Sequence, residues 1–238
     1  MPSSGRRRPA AVRATARTGP RPPAPPRPPE ISLPILRSAP GPPYLGPGSD
    51  HDAEEFIGID FSGEDGGGAT FLECLLRDCV LDGTRLRGAR LVDSLLENVR
   101  GLGVGLGEGV LRDVEWRDAR LGGAQFSGAQ LNRVVFRGGK IDYANFRQAG
   151  LVDVAFVNCV LIEPDFGGAR LERVSFEGCE VRGADLSAVR MTDVDLRGVT
   201  ALEIARGVDS LAGAIVAPTQ LLDLATVLAA HLGLRVEP

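Results

Sequence analysis

The sequence contains little of what enzyme active sites and metal centres usually require. It has two histidines, two methionines and one tryptophan, and aromatic residues make up only 5% of its 238 positions. His51 and His231 lie far apart in the chain, and no serine or cysteine forms a catalytic motif with either of them. The four cysteines do not occur in CxxC pairs, so their spacing is not that of a zinc site. We therefore expect no enzyme activity and no catalytic, cofactor-binding or metal-binding residues.

Long apolar segments are also missing. No apolar run in the sequence approaches the length that a membrane-spanning helix needs, and no apolar leader follows the first methionine. These absences predict neither a membrane-spanning helix nor a secretory signal. We therefore expect a cytoplasmic protein with no membrane partner, in which the cysteines stay reduced.

Proline and positive charge are concentrated at the beginning of the chain. Fourteen of the 17 prolines precede residue 48, and residues 1–49 carry eight arginines against one acid, Glu30. Proline cannot supply the backbone donors of a helix or sheet, and so little apolar mass offers little to offset the entropy of ordering. We predict that residues 1–50 form a disordered Pro/Arg-rich tail with polyproline II character.

A five-residue period runs through most of the remaining chain. Every fifth residue from Phe71 to Leu196 gives 26 positions, and all but Gly101 hold a large apolar residue. The 27 positions from Ala69 to Val199 that lie two residues before a centre hold nine Ala, nine Val, four Cys and five other uncharged residues. A period of five fits neither an α-helix nor a single strand. It predicts a coil that turns a corner every five residues, with one large and one small side chain pointing inward on each side. The cysteines are then small core residues.

Four such sides make one coil, and successive coils stack through backbone hydrogen bonds ~4.8 Å apart. Gly, Asp and Asn recur two residues after the large centre, as at Gly83 and Asp113, and these residue types tolerate the backbone of a corner. We predict an all-β fold, a four-sided parallel β-helix of about seven coils over residues 51–200. The central large residues are predicted to form its core: Leu121, Phe126, Leu131, Phe136, Ile141, Phe146, Leu151, Phe156, Leu161, Phe166, Leu171 and Phe176.

Several units resemble the A(D/N)LXX repeat of the pentapeptide-repeat family. The best examples are Ala184-Asp185-Leu186, Ala144-Asn145-Phe146 and Val194-Asp195-Leu196. The resemblance covers about residues 56–200. It implies a right-handed quadrilateral β-helix that works by presenting a surface to a partner.

Residues 201–238 are predicted to form a cap with one helix. Pro218 suits the first turn of a helix, and Gly233 suits its end. Residues 210–216 and 229–234 are similar to the tail of the quinolone-resistance pentapeptide proteins, and this resemblance implies a homodimer formed through the helix. The dimer would use the leucines Leu221, Leu224, Leu228 and Leu232.

Two functions remain open at this point. One is a scaffold for an unidentified protein partner. The resemblance implies the other, an acidic rod that imitates duplex DNA and binds DNA gyrase or another type II topoisomerase. Charges of both signs alternate on every face, which argues against imitation of DNA. Neither function requires the β-helix to bind nucleic acid directly. A row of apolar outward positions predicts a contact surface, consisting of Leu75, Leu95, Val135, Val157, Val160 and Ile162.

Overall fold

The computed structural model of the protein describes residues 23–38 and 45–235. Within these residues the chain forms eighteen β-strands, a short 3-10 helix at Val208–Ser210 and one α-helix, α1, at Pro218–His231. The strands are β1 (Arg37–Ser38), β2 (Asp50–Asp52), β3 (Glu54–Ile57), β4 (Thr70–Leu72), β5 (Leu75–Arg77), β6 (Arg90–Glu97), β7 (Arg100–Leu102), β8 (Val110–Arg117), β9 (Arg120–Gly122), β10 (Gln130–Arg137), β11 (Lys140–Asp142), β12 (Gly150–Val157), β13 (Val160–Ile162), β14 (Arg170–Glu177), β15 (Glu180–Asp185), β16 (Arg190–Asp195), β17 (Ala201–Arg206) and β18 (Ala214–Ile215).

The strands form two parallel sheets whose neighbours lie one coil apart. In the larger sheet the order is β1-β3-β5-β6-β8-β10-β12-β14-β16-β18, and β2 joins β6 through β4. The smaller sheet has the order β17-β15-β13-β11-β9-β7. Paired residues are typically four pentapeptides apart in the sequence, as in the pairing of Leu131 with Leu151 and of Leu151 with Leu171. The chain therefore winds as a parallel β-helix, which confirms the predicted fold class.

The β-helix has about nine turns, two more than predicted. The additional turns lie at the two ends, where the five-residue period is interrupted. Near the C-terminal end Val181 pairs with Leu202 and not with Ala201, so a single inserted residue shifts the large centre by one position. Leu202 is buried. The coil thus continues across a one-residue insertion, and a strict five-residue period does not locate the large centre beyond it.

The large centres form one continuous core inside the tube. All twelve predicted core residues are at most 5% exposed. Two aromatic columns run along the axis, with ring centroids 4.8 Å apart for Phe126 and Phe146 and 4.9 Å apart for Phe136 and Phe156. Facing rings of the two columns meet edge to face, and both geometries are favourable beyond simple burial. The repeat therefore stabilises the rod through the same contact in each turn.

The corners have the left-handed backbone that the residue types predicted. Gly83 has a φ of 63° and Asp113 a φ of 55°. Arg133 and Arg173 occupy corners as well, with φ of 52° and 53°. This backbone is uncommon for residues with long side chains, but the repeat places it at corners of varied residue type, including Ala53 and Ala188.

Helix α1 closes the C-terminal end of the tube and begins at Pro218, as predicted. Gln220 is buried, and its amide nitrogen donates to the carbonyl oxygens of Leu196 and Val199 at 2.8 and 3.0 Å. Leu224 is 2% exposed and belongs to the core. The helix therefore satisfies backbone carbonyls of the last coil and covers its apolar end. Within the described residues, no helix has the length and apolar character needed to cross a membrane.

Part of the predicted disordered tail is ordered against the β-helix. Residues 23–38, here called the strap, lie along the larger sheet, and their last two residues form β1 beside β3. The prediction of disorder is therefore wrong for the strap, because it considered the segment alone and not the surface on which it packs. For residues 1–22 and 39–44 the prediction falls outside the described residues.

Candidate functional site

The strap crosses the coils of the β-helix from the C-terminal towards the N-terminal end. Pro23–Pro26 line a cleft together with Ala155, Val157 and Phe176 of β12 and β14. The strap then contacts β12 and β8, and it ends beside the first coil, where the Arg37 nitrogen donates to the Ala53 carbonyl at 2.9 Å. It is therefore fixed at one end as a strand and along its length by side chains of the β-helix.

Two aspartates at the bends of long strands hold the strap. The Arg27 guanidinium donates to Asp153 through Nε at 2.9 Å and through its terminal nitrogen at 2.6 Å, and the Arg27 backbone nitrogen donates at 3.1 Å. The Glu30 backbone nitrogen donates to Asp113 at 3.1 Å. Hydrogen bonds to an ionised acceptor are among the stronger ones in proteins. Asp153 and Asp113 are thus the anchors of this contact.

Each anchor aspartate also pairs with an arginine one coil further along. Nε of Arg173 lies 2.6 Å from Asp153, and Nε of Arg133 lies 2.6 Å from Asp113. The four residues form one column along the corner, called here the corner ladder. Their side chains alternate in sign: Asp113, Arg133, Asp153 and Arg173. These ion pairs join the two corner arginines to the aspartates of the preceding coils.

The corner ladder keeps both anchors ionised although they are enclosed. The Asp153 side chain has no exposed surface, and that of Asp113 is 5% exposed. Burial alone would raise the pKa of Asp153, but hydrogen bonds from Arg173 and Arg27 outweigh it, so its pKa lies far below the usual range. Burial opposes the same effect at Asp113, where Arg133 and the Glu30 nitrogen lower the pKa. Both anchors therefore carry a full negative charge near neutral pH.

The structure divides the six residues of the predicted contact surface between two places. Leu75, Leu95 and Val135 are at most 8% exposed, yet they lie outside the core cluster. They face outward on the larger sheet, on the side where the strap lies. Their predicted role as an exposed surface is therefore wrong, because another part of the same chain lies over this side.

The other three predicted surface residues remain partly exposed. Val157 lines the cleft with the strap. Val160 and Ile162 lie on β13 of the smaller sheet, whose outer surface is here called the open face. Among the described residues no segment covers this sheet in the way that the strap covers the larger one.

The open face combines exposed apolar side chains with a row of cations. Leu102 of β7 is 67% exposed, and Tyr143, at the corner that follows β11 and borders this face, is 59% exposed. Arg100, Arg120 and Lys140 are exposed and in register, so their backbones lie ~4.8 Å apart. The open face therefore presents apolar and cationic side chains side by side.

Helix α1 divides its leucines between the core and solvent. Leu224 is buried and Leu228 is partly buried against the core, whereas Leu221 is 52% and Leu232 71% exposed. The apolar side of the helix is therefore only partly covered by the core. Leu222 is also exposed, at 77%.

The cysteines occupy the small inward positions and are buried free thiols. Burial raises the pKa of Cys74 to about 11. The hydrogen bond with Cys179, together with burial, raises the pKa of Cys159 as well. Thiols with raised pKa values are poor nucleophiles near neutral pH. In residues 23–38 and 45–235 no three His, Cys, Asp or Glu side chains come together as a metal site would require.

Sequence reasoning missed the corner ladder. Its signal is an alternation of Asp and Arg at equivalent positions of successive coils, beside a row of apolar outward positions. The core columns already indicated which residues lie one coil apart. Only the large centres were compared in this way, and the charged corner residues were not.

Comparison with known proteins gives two matching family models. A model described as a pentapeptide repeat region matches residues 69–146, and one described as pentapeptide repeats in eight copies matches residues 141–178 and 165–200. Together they span residues 69–200, more than half of the chain. No curated protein matches the sequence.

Three similar solved structures are distant in sequence. HetL, a pentapeptide repeat protein involved in heterocyst differentiation regulation in Nostoc sp., is 21% identical with a TM-score of 0.35, covering 71% of this chain and 90% of HetL. QnrB1, a plasmid-mediated fluoroquinolone resistance protein, is 19% identical in a trypsin-treated form with a TM-score of 0.31, covering 87% of this chain and all of that trypsin-treated chain. A pentapeptide repeat protein of the Arabidopsis thaliana thylakoid lumen is 20% identical with a TM-score of 0.21, covering 71% of this chain and 77% of that protein.

Proposed function

The chain belongs to the pentapeptide-repeat family, and from this premise we propose that it is a non-enzymatic scaffold that binds a protein partner through its open face. The observation that carries the proposal is the exposure of Leu102 and Tyr143 on hydrogen-bonded coils of a rigid rod. Contiguous exposed apolar side chains on an ordered surface mark interaction sites. A rigid site also loses little conformational entropy when it binds.

The charges of the open face indicate what kind of partner it would bind. Among the described residues, neither Arg100 nor Arg120 forms an ion pair with a carboxylate, whereas Lys140 pairs with Asp142 at 2.8 Å. Unpaired cations beside apolar side chains favour a partner that supplies carboxylates around an apolar centre. We therefore expect a protein with an acidic rim, and no direct binding of the β-helix to nucleic acid.

Affinity capture with the full chain tests this proposal. The wild-type protein and a Leu102→Ser, Tyr143→Ser variant are immobilised in equal amounts and exposed to extract of the source cells. A true partner is retained at least about tenfold less by the variant, since a few central apolar residues dominate most interfaces. Leu72→Ser, on the larger sheet, is the matched control and should retain the partner fully. If every captured protein is retained equally by the wild type and the double variant, the open face is not the binding site.

The outer leucines of α1 support a second proposal, a homodimer through this helix. Leu221, Leu222 and Leu232 would bury apolar area only if a second surface covered them. Light scattering after gel filtration should give twice the monomer mass for the wild type and the monomer mass for Leu221→Asp, Leu232→Asp. Asp223→Ala, an exposed polar position of the same helix, is the control. A wild-type monomer at tens of micromolar would exclude the dimer.

Binding to DNA gyrase or another type II topoisomerase is the alternative function. It is favoured by the outward leucines of α1, which the resemblance to quinolone-resistance proteins anticipates, and opposed by the cation row. A supercoiling assay with the purified full chain separates the alternatives. Inhibition of gyrase, or its protection from a quinolone, at micromolar protein would favour the topoisomerase. Absence of both effects would leave the scaffold.

A further inference from the structure

The strap meets the corner ladder with a spacing that matches an extended proline-rich chain. Asp113 and Asp153 are two coils apart, or ~9.6 Å from the stacking distance. Their partners Glu30 and Arg27 are three residues apart, and three residues of polyproline II helix rise ~9.3 Å. Every third strap residue can therefore reach every second coil without compression or stretching.

The alternation of charge in the corner ladder has the same repeat. Arg133 and Arg173 occupy the intermediate coils and pair with the aspartates, so within the corner ladder a carboxylate edge faces the strap at every second coil. The strap supplies a guanidinium at one of these edges and a backbone N–H at the other. Because proline lacks an N–H, only Ala24, Arg27 and Glu30 of residues 23–30 have a backbone donor, and the last two donate to the anchors. The match thus involves spacing, charge and residue type together.

The contact is also built so that it can be released. Without the strap, Asp153 would still be paired with Arg173 and Asp113 with Arg133, so no buried charge would lose its only partner. The Arg27 side chain is 64% exposed even when bound. The β-helix therefore keeps its own ion pairs whether or not the strap is in place.

We propose that the corner ladder is a docking site for extended, arginine-anchored proline-rich segments, and that residues 23–30 are its resident ligand. The strap closes this side of the larger sheet to a partner of the same chemistry until it is displaced. This inference rests on the proposed function, in that it assumes a protein that works by binding other proteins. It adds a second surface, the class of peptide that the surface takes, and a means of regulating it.

A labelled peptide with the sequence of residues 20–30 tests the site directly. Its binding to the full-length protein is followed by fluorescence anisotropy. The wild type should bind weakly, because its own strap is present at high effective concentration. The variant Arg27→Ala frees the site and should bind the peptide at least about tenfold more tightly. Glu30→Pro, which removes the N–H donated to Asp113, should have the same direction of effect. Both changes lie in the strap, so neither removes a contact within the β-helix.

Matched controls distinguish the anchor from general positive charge. The peptide contains two arginines, at positions 21 and 27. A peptide with Arg27→Ala should lose binding to the Arg27→Ala protein, whereas one with Arg21→Ala, of equal charge, should keep it. On the protein side, Arg182→Ala on the smaller sheet should leave the affinity at the wild-type value.

Two results would overturn the inference. One is equal peptide affinity for the wild type and for both strap variants; the other is equal loss from the two peptide substitutions. Neither result requires the natural partner, so the docking site can fail while the open face succeeds in affinity capture. Conversely, the open face can fail in affinity capture while peptide binding supports the docking site.

Discussion

Leu151 of β12 and Leu161 of β13 are both fully buried in the same core, but the outer surfaces above them differ. Above β12 lie the strap and the corner ladder, where enclosed charges are paired. Above β13 lies the open face, with exposed cations and apolar side chains. The five-residue repeat specifies the interior in the same way on every side, and it leaves three of five positions free outside. Function in such a protein must therefore be sought in the outward positions.

The largest expected effect tests whether the interior is the same beneath both surfaces. Leu151→Ala and Leu161→Ala each remove a fully buried side chain, and each should destabilise the protein by about 2–5 kcal/mol. The two losses should agree to within about 1 kcal/mol, because each leucine fills the same kind of position in a coil. Chemical denaturation of the full-length variants measures both values. A small loss at only one of the two sites would show that the strap side and the open face have unequal cores.

A smaller effect should separate the two exteriors. Asp153→Asn weakens charge-assisted hydrogen bonds from Arg173 and Arg27 and should cost about 1.5–3 kcal/mol. Asp142→Asn on the open face weakens a half-exposed pair with Lys140 and should cost less than about 1 kcal/mol. The same denaturation measurement applies to both. Equal costs would contradict the contrast between an enclosed and an open exterior.

The dependence on pH sharpens the same contrast. The pKa of Asp153 is depressed from its ordinary value of 3.8, so its contribution to stability is present above that value and is lost as the pH falls towards the folded pKa. The difference in unfolding free energy between wild type and Asp153→Asn should therefore be constant from about pH 7 to pH 5 and shrink below about pH 4. Titrating the unfolding free energies of both proteins provides the test. A difference that shrinks already between pH 7 and pH 5 would mean that Asp153 is not held ionised by its arginines.

Sequence reasoning reached the interior and the C-terminal helix of the structure but not its covering. Phe136 and Leu171 could be placed because inward positions recur every five residues, and Pro218 because it suits a helix start. The strap could not be placed, because disorder was predicted from composition, whereas its order comes from Asp153 and Asp113, which are far away in the sequence. Leu95 and Val135 did carry a signal, since an apolar outward row needs a cover. The strap can be identified as this cover only by matching three residues of its extended chain to two coils of the β-helix. No local sequence pattern contains that relation.

The smallest expected effect concerns the cation row of the open face, and its sign is informative. Arg120 lies in register between Arg100 and Lys140, and like charges directly opposite on neighbouring strands are destabilising. Arg120→Ala should therefore leave stability unchanged or raise it by up to about 0.5 kcal/mol. Gln130→Ala, an exposed neutral residue of β10, removes no repulsion and is the matched control. A loss above about 0.5 kcal/mol for Arg120→Ala alone would mean that the row contributes to folding. A gain in the free energy of unfolding would mean that repulsion within the cation row slightly destabilises the rod on the surface where we place partner binding. Such a cost is expected of residues that serve binding and not folding.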